Sequence, residues 1–419
     1  MRIALLSTCA VAVPPKAYGG TELITAELAK SLVTLGHDVT VYATGDSHPA
    51  GTLRYRFPRP VWPPDDLAEL RHAAFAWHHI AAHQPAFDVV HTHQAPSLAF
   101  AAMFPAPTVL TIHHARETSL LDFYLDFPDV HYVAISRSQA DLVPEMNVQS
   151  VVHHGLDASL YRPGTGDGGY CAFLGRLAEE KGPHVAIDAA MRAGVPLQIG
   201  GKPHAPDQSF FDREVKPRLD RAGARVTWLG EVSHAPKTEL LRGARALLFP
   251  IDWEEPFGLV MIEAMLVGTP VIAFGRGSVP EVIEEGVTGF VVRDAEAMAA
   301  RLAQIGTFDR KRCRARAEER WSSLRMARDY VAVYERAMRA RKGAVPLRMW
   351  GQGAGTAEGA PRASSLPSGF DREGPRRDRI GASSGFHRKV DDSSGAASSS
   401  EEHDEGRASD LYSRASGGG

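Results

Sequence analysis

Residues 246–274 have the sequence ALLFPIDWEEPFGLVMIEAMLVGTPVIAF. Two short apolar runs, at 246–249 and 270–274, are typical of strands that are buried on both faces of a sheet. Between them an apolar helix is predicted over about 258–267, and Gly268 ends it. A strand, a crossover helix and a second strand form a βαβ unit, in which the two strands run parallel. This stretch therefore predicts an α/β fold with a parallel sheet.

The same alternation of apolar runs and helical patterns continues on both sides of this unit. Further strands are predicted at 3–7, 39–43, 88–91, 108–112, 131–135, 170–174, 196–199 and 226–229, and further helices at 21–35, 66–83, 183–193 and 321–341. A Gly-rich stretch at 163–169 has the composition of a linker, and the alternation begins again after it. The sequence therefore predicts two similar α/β domains facing each other across a cleft, with ligands at the carboxyl ends of the strands.

Four parts of the chain are expected. The first domain spans 1–163 and the second spans 164–320; a helix over 321–342 follows and is expected to pack back toward the first domain. Residues 343–419 are rich in Ser and Gly and poor in large apolar residues. Such a segment cannot bury enough surface to offset its ordering entropy, so a disordered tail without catalytic residues is predicted.

Composition excludes several classes of protein. Lys and Arg number 47 against 50 Asp and Glu, and a net charge of -3 provides no basic field to hold nucleic acid. The three cysteines, Cys9, Cys171 and Cys313, are far apart and form no C-x-x-C pair. This spacing excludes a disulfide framework and a cysteine zinc site, and it favours a cytoplasmic location.

The apolar start of the chain has two interpretations. Residues 3–13 resemble a short signal peptide, but a Gly-rich turn and an amphipathic helix follow at once, which favours a buried strand. No apolar run approaches the roughly 18 residues that a membrane span requires. We therefore expect no transmembrane segment, while peripheral membrane contact stays open.

Two carboxylates mark the unit at 246–274. Glu263 lies in the middle of the apolar helix, where a charge is costly unless ligand hydroxyls, an Arg or a backbone amide binds it. Glu255 lies eight residues earlier in the loop at the helix start, where an acid also stabilises the helix dipole. The free amides of the same terminus could bind a phosphate. Together these features suggest two carboxylates beside an anion pocket.

Two further loops carry groups that suit an anionic ligand. Arg176 and Lys181 follow the first strand of the second half, at the same sheet edge as Glu255. Two cations in such a loop usually lie on the solvated surface, but Arg and Lys together could bind a pyrophosphate. Gly19 and Gly20 precede the first helix, where paired glycines allow a backbone to approach a ligand closely, although a simple tight turn explains them equally well.

Histidines gather near strand ends of the first half, in the pairs 91/93, 113/114 and 153/154. Six histidines at one edge could form a metal site. However, no H-E-x-x-H pattern occurs, and neighbours along a strand point to opposite faces. A histidine at the edge of a cleft more often hydrogen-bonds a hydroxyl or a carbonyl group, so no metal site is predicted.

In combination, these motifs resemble a known family. Glu255 and Glu263 form an E-x7-E motif within Glu-Pro-Phe-Gly-Leu-x3-Glu-Ala-Met. The other motifs are Gly175-Arg176-x4-Lys181-Gly182, Tyr18-Gly19-Gly20-Thr21-Glu22, Asp88-Val89-Val90-His91-Thr92-His93 and Ser278-Val279-Pro280-Glu281-Val282-Ile283. Over residues 1 to about 340, the chain resembles the retaining glycosyltransferases of family 4, also described as glycosyl transferases group 1.

The resemblance implies a GT-B fold, with two Rossmann-like, doubly wound parallel-sheet domains. The first domain would bind the acceptor and the second the nucleotide-diphosphate sugar. Members of the family work without a bound metal, so no cofactor is expected and protein cations must balance the pyrophosphate charge. Retention is described as front-face attack, in which the leaving phosphate takes the acceptor proton.

Roles carried over from the family fall on matching positions of this chain. Arg176 and Lys181 would hold the diphosphate and stabilise the leaving group. Glu263 would receive the ribose hydroxyls, and Glu255 would bind hydroxyls of the donor sugar near the reacting carbon.

The remaining roles concern backbone groups and one ring. The amides of Gly258 and Leu259 would help to bind the phosphates. Gly19 and Gly20 would approach the donor from the opposite domain, and His113 would face the donor sugar.

Two departures from the family pattern stand out. Family members commonly have Asn-Gly after the strand near residue 152, whereas this chain has His153-His154-Gly155. A Gly-Gly pair is likewise replaced by Arg276-Gly277-Ser278. These changes affect the expected polar contact at the hinge and the donor sugar pocket.

The leading prediction is a metal-independent, retaining hexosyltransferase that uses a nucleotide-diphosphate sugar. UDP-glucose is chosen as a common donor, and the acceptor, a carbohydrate, a lipid or another small molecule, would be selected by loops at 61–70 and 117–129. A nucleotide-sugar epimerase of the same architecture and a non-catalytic nucleotide-sugar-binding scaffold are the alternatives. A metal-dependent hydrolase ranks last.

Overall fold

Two parallel sheets organise the chain in the computed structural model, which describes residues 1–17, 19–63 and 65–343. The first sheet contains β1 (Arg2–Leu6), β2 (Asp38–Ala43), β3 (Thr52–Tyr55), β4 (Val89–Thr92), β5 (Thr108–Thr111), β6 (His131–Ala134) and β7 (Val148–Val151). The second contains β8 (Cys171–Leu174), β9 (Leu197–Gly200), β10 (Val226–Trp228), β11 (Leu247–Phe249), β12 (Val271–Phe274) and β13 (Gly289–Val292).

Helices connect these strands and cover the sheets. The α-helices are α1 (Gly20–Thr34), α2 (Asp66–Ala82), α3 (Thr118–Leu125), α4 (Arg137–Asp141), α5 (Pro183–Ala193), α6 (Gln208–Phe210), α7 (Lys216–Ala222), α8 (His234–Gly243), α9 (Leu259–Leu266), α10 (Val279–Val282), α11 (Ala295–Gln304), α12 (Arg310–Arg320) and α13 (Ser323–Gly343). A π-helical turn, Phe211–Val215, joins α6 to α7. Single 3-10 segments occur at Ala95–Met103, Ala158–Leu160, Glu179–Lys181, Ala205–Asp207, Gly223–Arg225 and Ile305–Thr307.

Both sheets are doubly wound. The strand order is β3-β2-β1-β4-β5-β6-β7 in the first sheet and β10-β9-β8-β11-β12-β13 in the second. In each, the chain starts in a central strand, builds outward to one edge and then crosses to the other side. The crevice between β1 and β4, and the one between β8 and β11, are the switch points where such sheets bind ligands. The predicted pair of parallel sheets is confirmed.

Every predicted strand is present, and three edge or near-edge strands were not predicted. β3, β7 and β13 flank the sheets, and β3 and β7 are largely exposed along their length. The sequences of β3 and β7 mix polar and apolar residues, as expected of half-solvated edge strands, whereas β13 is apolar but only four residues long. Residues 2–6 form the buried central strand β1. A buried strand was the favoured one of the two interpretations of the chain start.

One apolar cluster is shared by both sheets. It includes Leu28 on α1, Phe257 and Met261 at the start of α9, and Tyr330 on α13. Helix α13 packs on α1 and contacts β4 and β5 of the first sheet. The last helix therefore lies against the first sheet although it follows the second in sequence.

The predicted domain limits fall between the sheets. β7 ends at Val151 and β8 begins at Cys171, and the boundary at 163/164 within this interval stays a prediction. Of the predicted tail, only Gly343 is among the described residues, where it ends α13. Residues 344–419, like Tyr18 of the Gly-Gly loop, lie outside the described part. No helix in 1–17, 19–63 or 65–343 is long and apolar enough to cross a membrane.

A buried chain of hydrogen bonds ties α13 to the first sheet. The His91 Nδ1 atom lies 2.7 Å from the Tyr334 hydroxyl, and its Nε2 atom lies 2.8 Å from the Thr111 hydroxyl. Thr111 also bonds the Tyr330 hydroxyl at 2.8 Å. His91 thus has both ring nitrogens paired inside the core, which gives it a structural role.

Tyr334→Phe should destabilise the protein because it leaves one buried nitrogen of His91 without a partner. The expected loss is about 1–3 kcal/mol in the free energy of unfolding. Urea denaturation followed by circular dichroism measures it. In the control, the same change at exposed Tyr55 should shift the free energy by less than about 0.5 kcal/mol. Equal midpoints for the two variants would contradict the structural role of His91.

Candidate active site

A cleft of about 630 Å³ lies between the carboxyl ends of the two sheets. Its first wall comes from loops after β1, β4 and β5 and from the start of α2, and its second from the loops after β8 and β11 and the start of α9. Eight of the nine predicted site residues line this cleft, and Glu263 is the exception. Glu263 lines an adjoining cavity of about 190 Å³, which shares Gly19, Gly20 and Arg176 with the cleft. The structure therefore brings the predicted residues together.

Lys181 and Glu255 form the centre of the second wall. Lys181 Nζ donates to Glu255 Oε2 at 2.7 Å and lies 4.1 Å from the centroid of the Trp253 ring. Trp253 Nε1 donates to the same carboxylate oxygen at 2.9 Å. Glu255 is 8% exposed, so its charge is balanced by a cation and an indole donor rather than by bulk water.

The loop that carries Lys181 is held against the loop after β11. Gly182 has φ +69°, and a Cβ atom there would lie 2.1 Å from the Pro250 carbonyl oxygen. Asp252 N also donates to the Glu180 carbonyl oxygen at 2.8 Å. Only glycine fits this close approach, which fixes Lys181 opposite Glu255.

Arg176 is likewise engaged by carboxylates. Its Nη1 atom donates to Asp207 Oδ2 at 3.0 Å, and its Nη2 atom to Glu180. The side chains of Arg176 and Asp207 are 29% and 12% exposed. The guanidinium is therefore oriented within the cleft by two acids, and part of it stays accessible from the cleft.

Glu263 occupies the middle of α9 and is 4% exposed. It accepts hydrogen bonds from Lys237 on α8 and, at 3.2 Å, from the Tyr161 hydroxyl. Burial and the neighbouring Glu263 carboxylate raise the pKa of Tyr161, so this phenol stays a donor. The counter-charge of Glu263 is thus a lysine, whereas the sequence suggested ligand hydroxyls, an arginine or a backbone amide.

Lys237, Asp207 and Tyr161 were missed by the sequence reasoning. Lys237 lies on an ordinary polar helix, and Asp207 is the last residue of a short 3-10 turn. Neither position has a motif, because each reaches the site only through the packing of its own element. The apolar surroundings of Glu263 were the one signal that a buried partner must exist.

Glycines of the two walls approach each other at the start of α9. Gly258 has φ +77° and caps α9 without a side-chain hydrogen bond. A Cβ atom on Gly20 would lie 3.4 Å from Leu259 Cδ1, across the cleft. The first amides of α9 and the Gly19-Gly20 turn therefore lie on opposite sides of a narrow passage, where a helix N-terminus favours an anion.

The histidines form a buried stack. His113 Nε2 lies 2.7 Å from His93 Nδ1, and the His113 and His154 rings stack with centroids 5.4 Å apart. Burial lowers the pKa of His93, His113 and His154 well below the usual value, so all three rings are neutral. His113 and His154 both line the cleft. No group of three or more metal-binding side chains is found among the described residues.

His153, the first departure from the family pattern, takes part in a bridge between the domains. Its Nε2 atom lies 2.9 Å from Glu281 Oε2. The amides of Arg137 and Ser138 donate to the same carboxylate at 2.9 and 2.7 Å. Burial opposes ionisation, but the bonds from His153 and the two amides lower the pKa of Glu281 below its usual value. A polar contact between the two domains is therefore present, and His153 and Glu281 make it.

The second departure supports the Glu255 loop. Gly277 N donates to Glu254 Oε2 at 2.8 Å, and Ser278 N donates to the Glu255 carbonyl oxygen at 2.9 Å. Gly277 has φ +54°, and a Cβ atom there would lie 2.3 Å from Glu255 N. The single glycine that this chain retains is the one that the close approach requires.

Comparisons with known proteins agree with this architecture. Residues 18–160 match the model of Glycosyltransferase Family 4, and residues 165–320 match that of Glycosyl transferases group 1. Together these matches include all strands of both sheets except β1, and the predicted site residues from Gly19 to Glu263. The chain belongs to the family 4 and group 1 glycosyltransferases.

Curated relatives are similar over part of their length. A glycogen synthase of Mycobacterium tuberculosis is 30% identical over 253 residues, which cover 52% of this chain and 60% of that protein. A D-inositol 3-phosphate glycosyltransferase of Mycobacterium bovis is 34% identical over 160 residues, 35% of this chain and 33% of that protein. The chain thus spans less than two thirds of either relative.

Solved structures share the fold. AviGT4, a glycosyltransferase involved in avilamycin A biosynthesis, has a TM-score of 0.65 at 24% identity and covers 82% of this chain and 99% of its own. Sucrose-phosphate synthase from Thermosynechococcus elongatus has a TM-score of 0.68 at 21% identity, with 81% and 100% covered. Anabaena HepE in complex with UDP and glucose has 0.63 at 20% identity, with 80% and 100% covered. The predicted GT-B fold is confirmed.

Glu281→Ala should loosen the contact between the two domains because three donors lose their common acceptor. We expect a loss of about 1–3 kcal/mol in stability and a larger radius of gyration. Thermal denaturation and small-angle scattering of the same samples measure both. Glu239→Ala, which removes an exposed ion pair within α8, should cost less than about 0.5 kcal/mol and leave the radius unchanged. Unchanged scattering from the Glu281 variant would contradict an interdomain role.

Proposed function

We propose that this protein transfers a hexose from a nucleotide-diphosphate sugar, with UDP-glucose as the first choice, to an acceptor with retention of configuration and without a metal. One observation carries the proposal. Two buried carboxylates, Glu255 and Glu263, are each paired with a lysine in two adjoining cavities between the switch points of two parallel sheets. A sugar, a diphosphate and a ribose need such a sequence of acceptors and cations.

The diphosphate would lie between Arg176, Lys181 and the first amides of α9. Both cations are now bound by carboxylates, and a diphosphate would provide them with stronger acceptors. Lys181 would then share its charge between Glu255 and a phosphate oxygen. As the glycosidic bond breaks, negative charge accumulates on the leaving phosphate, and these fixed donors stabilise it without reorganisation.

The ribose would be bound at Glu263. This carboxylate accepts from Lys237 and Tyr161, which orient it, and it lines the smaller cavity. A pair of ribose hydroxyls would donate to it in place of one present partner. Glu255 lies in the loop before α9 and Glu263 lies one turn inside α9, so the start of this helix sets the distance between ribose and donor sugar.

The donor sugar would be bound between Glu255 and His113. Glu255 would accept hydrogen bonds from its hydroxyls, and neutral His113 would offer a ring nitrogen without adding charge. In front-face attack the acceptor hydroxyl passes its proton to the leaving phosphate oxygen as the new glycosidic bond forms. No separate protein base is then required.

The relatives support this choice of donor and reaction. One curated relative is a glycogen synthase, and a solved structure of similar fold was determined in complex with UDP-glucose. These properties belong to those proteins; here they guide the choice of UDP-glucose as the first donor to test.

Hydrolysis of the donor tests the proposal without knowledge of the acceptor. In the presence of EDTA, the protein should slowly release glucose from UDP-glucose, and retention predicts that the α anomer appears first in proton NMR spectra. Lys181→Ala should lower this rate by about 10²-fold or more because the leaving group loses a stabilising cation. Lys30→Ala, which removes a cation outside the cleft, should leave the rate unchanged.

Each of the other outcomes would contradict a different part of the proposal. The β anomer appearing first would contradict retention, and a rate abolished by EDTA would contradict metal independence. A changed sugar would indicate an epimerase. Bound nucleotide without turnover would indicate a scaffold, and full turnover by Lys181→Ala would contradict the diphosphate assignment.

A further inference from the structure

The first wall of the cleft differs from the second in its charge. Among the described residues that line the cleft, the charged side chains of the first domain are three acids, Glu22, Asp66 and Glu69, whereas both cations, Arg176 and Lys181, belong to the second domain. We infer that the acceptor is a sugar. The end of this sugar that contacts the first wall carries hydroxyl or amino groups and no phosphate. This inference rests on the proposed function, in which the first domain binds the acceptor.

Glu69 supplies an unused hydrogen-bond acceptor. Its Oε1 atom accepts from the Cys9 amide at 2.9 Å, while its buried Oε2 atom has no hydrogen-bond partner in the described part of the chain. Burial raises the pKa of Glu69 to about 7. A carboxyl group in this position gains from a ligand that donates to it, as a hydroxyl or an ammonium group does.

Gln94 supplies a second unused hydrogen-bond acceptor, independent of Glu69. It is 4% exposed and lines the same cleft. Its Nε2 atom donates to the Ser7 carbonyl oxygen at 3.1 Å, which fixes the orientation of the amide. The Oε1 atom has no hydrogen-bond partner among the described residues. Two unsatisfied acceptors on one wall call for a ligand with several donors, and a phosphate offers mainly acceptors.

Glu22 extends the same surface toward the Gly-Gly turn. It is 5% exposed and accepts from the Thr8 hydroxyl, and burial raises its pKa. A phosphate placed here would face Glu22, Asp66 and Glu69, and no cation is among the described lining residues of the first wall. Its charge would lose water without gaining a counter-charge on this wall, which is costly.

Trp62 gives this wall an apolar platform. Its ring is 60% exposed and lines both the cleft and an adjoining cavity of about 710 Å³. The C–H face of a pyranose packs on such a ring while its hydroxyls point sideways to polar groups. An exposed indole beside buried acceptors therefore suits a sugar ring better than a lipid chain. Trp62, Asp66 and Glu69 all fall within residues 61–70, the segment expected to select the acceptor, although the structure places Asp66 and Glu69 in the first turn of α2 and not in a loop.

Matched acceptor pairs test the inference with the full chain and UDP-glucose. The pairs are glucose and glucose 6-phosphate, glucosamine and glucosamine 6-phosphate, and myo-inositol and inositol 3-phosphate. Glycoside formation, measured by mass spectrometry, should favour the unphosphorylated member of the accepted pair by at least about tenfold. Asp66→Lys, a change at an exposed position, should reduce this preference by about tenfold, and Glu69→Gln should reduce it while keeping the shape of the wall.

Glu145→Lys reverses an exposed charge outside the cleft and should leave the preference unchanged. Equal or better use of the phosphorylated members would overturn the inference. So would use of no member of any pair while donor hydrolysis continues, because the sugar class would then be wrong. Absence of donor hydrolysis would instead contradict the proposed function, on which the acceptor assignment rests.

Discussion

The Lys181–Glu255 ion pair is the interaction around which the cleft is arranged. Glu255 is nearly buried, and a buried carboxylate persists as a charge only with a partner close by. The partner comes from the loop after β8, and that loop reaches Glu255 because Gly182 allows contact with the Pro250 backbone. Two loops of one sheet edge are thereby fixed together, and their charges are oriented before any ligand binds.

Pairs of this kind repeat along the cavity. Arg176 is held by Asp207 and Glu180, and Glu263 is held by Lys237. Lys237 balances the charge of Glu263, whereas Arg176 carries one positive charge against two acids. The cations and acids needed by a charged, polyhydroxylated donor are therefore held in position by partners inside the protein before the donor binds. The first wall, with acids and no cation among its described lining residues, is set up for a different kind of ligand.

The central strands and the main site loops could be predicted because each has a local cause. Strands such as 271–274 are buried on both faces and read as apolar runs, and Glu263 is conspicuous as a charge in an apolar helix. Edge strands such as Thr52–Tyr55 were missed because solvent covers much of them. Lys237 was missed for a related reason: on its own helix it resembles any surface lysine, and only the packing of α8 beside α9 gives it a buried partner.

The cations of the second wall are proposed to bind the diphosphate of a nucleotide. Calorimetric titration with UDP and with uridine, at matched salt and with EDTA, measures their contribution. Each charge-assisted hydrogen bond to a phosphate is worth about 1.5–3 kcal/mol, so UDP should bind about 10²-fold or more tightly than uridine. Arg176→Ala and Lys181→Ala should each remove about tenfold or more of that difference. Equal affinities for UDP and uridine in the unmodified protein would show that these cations do not bind a diphosphate.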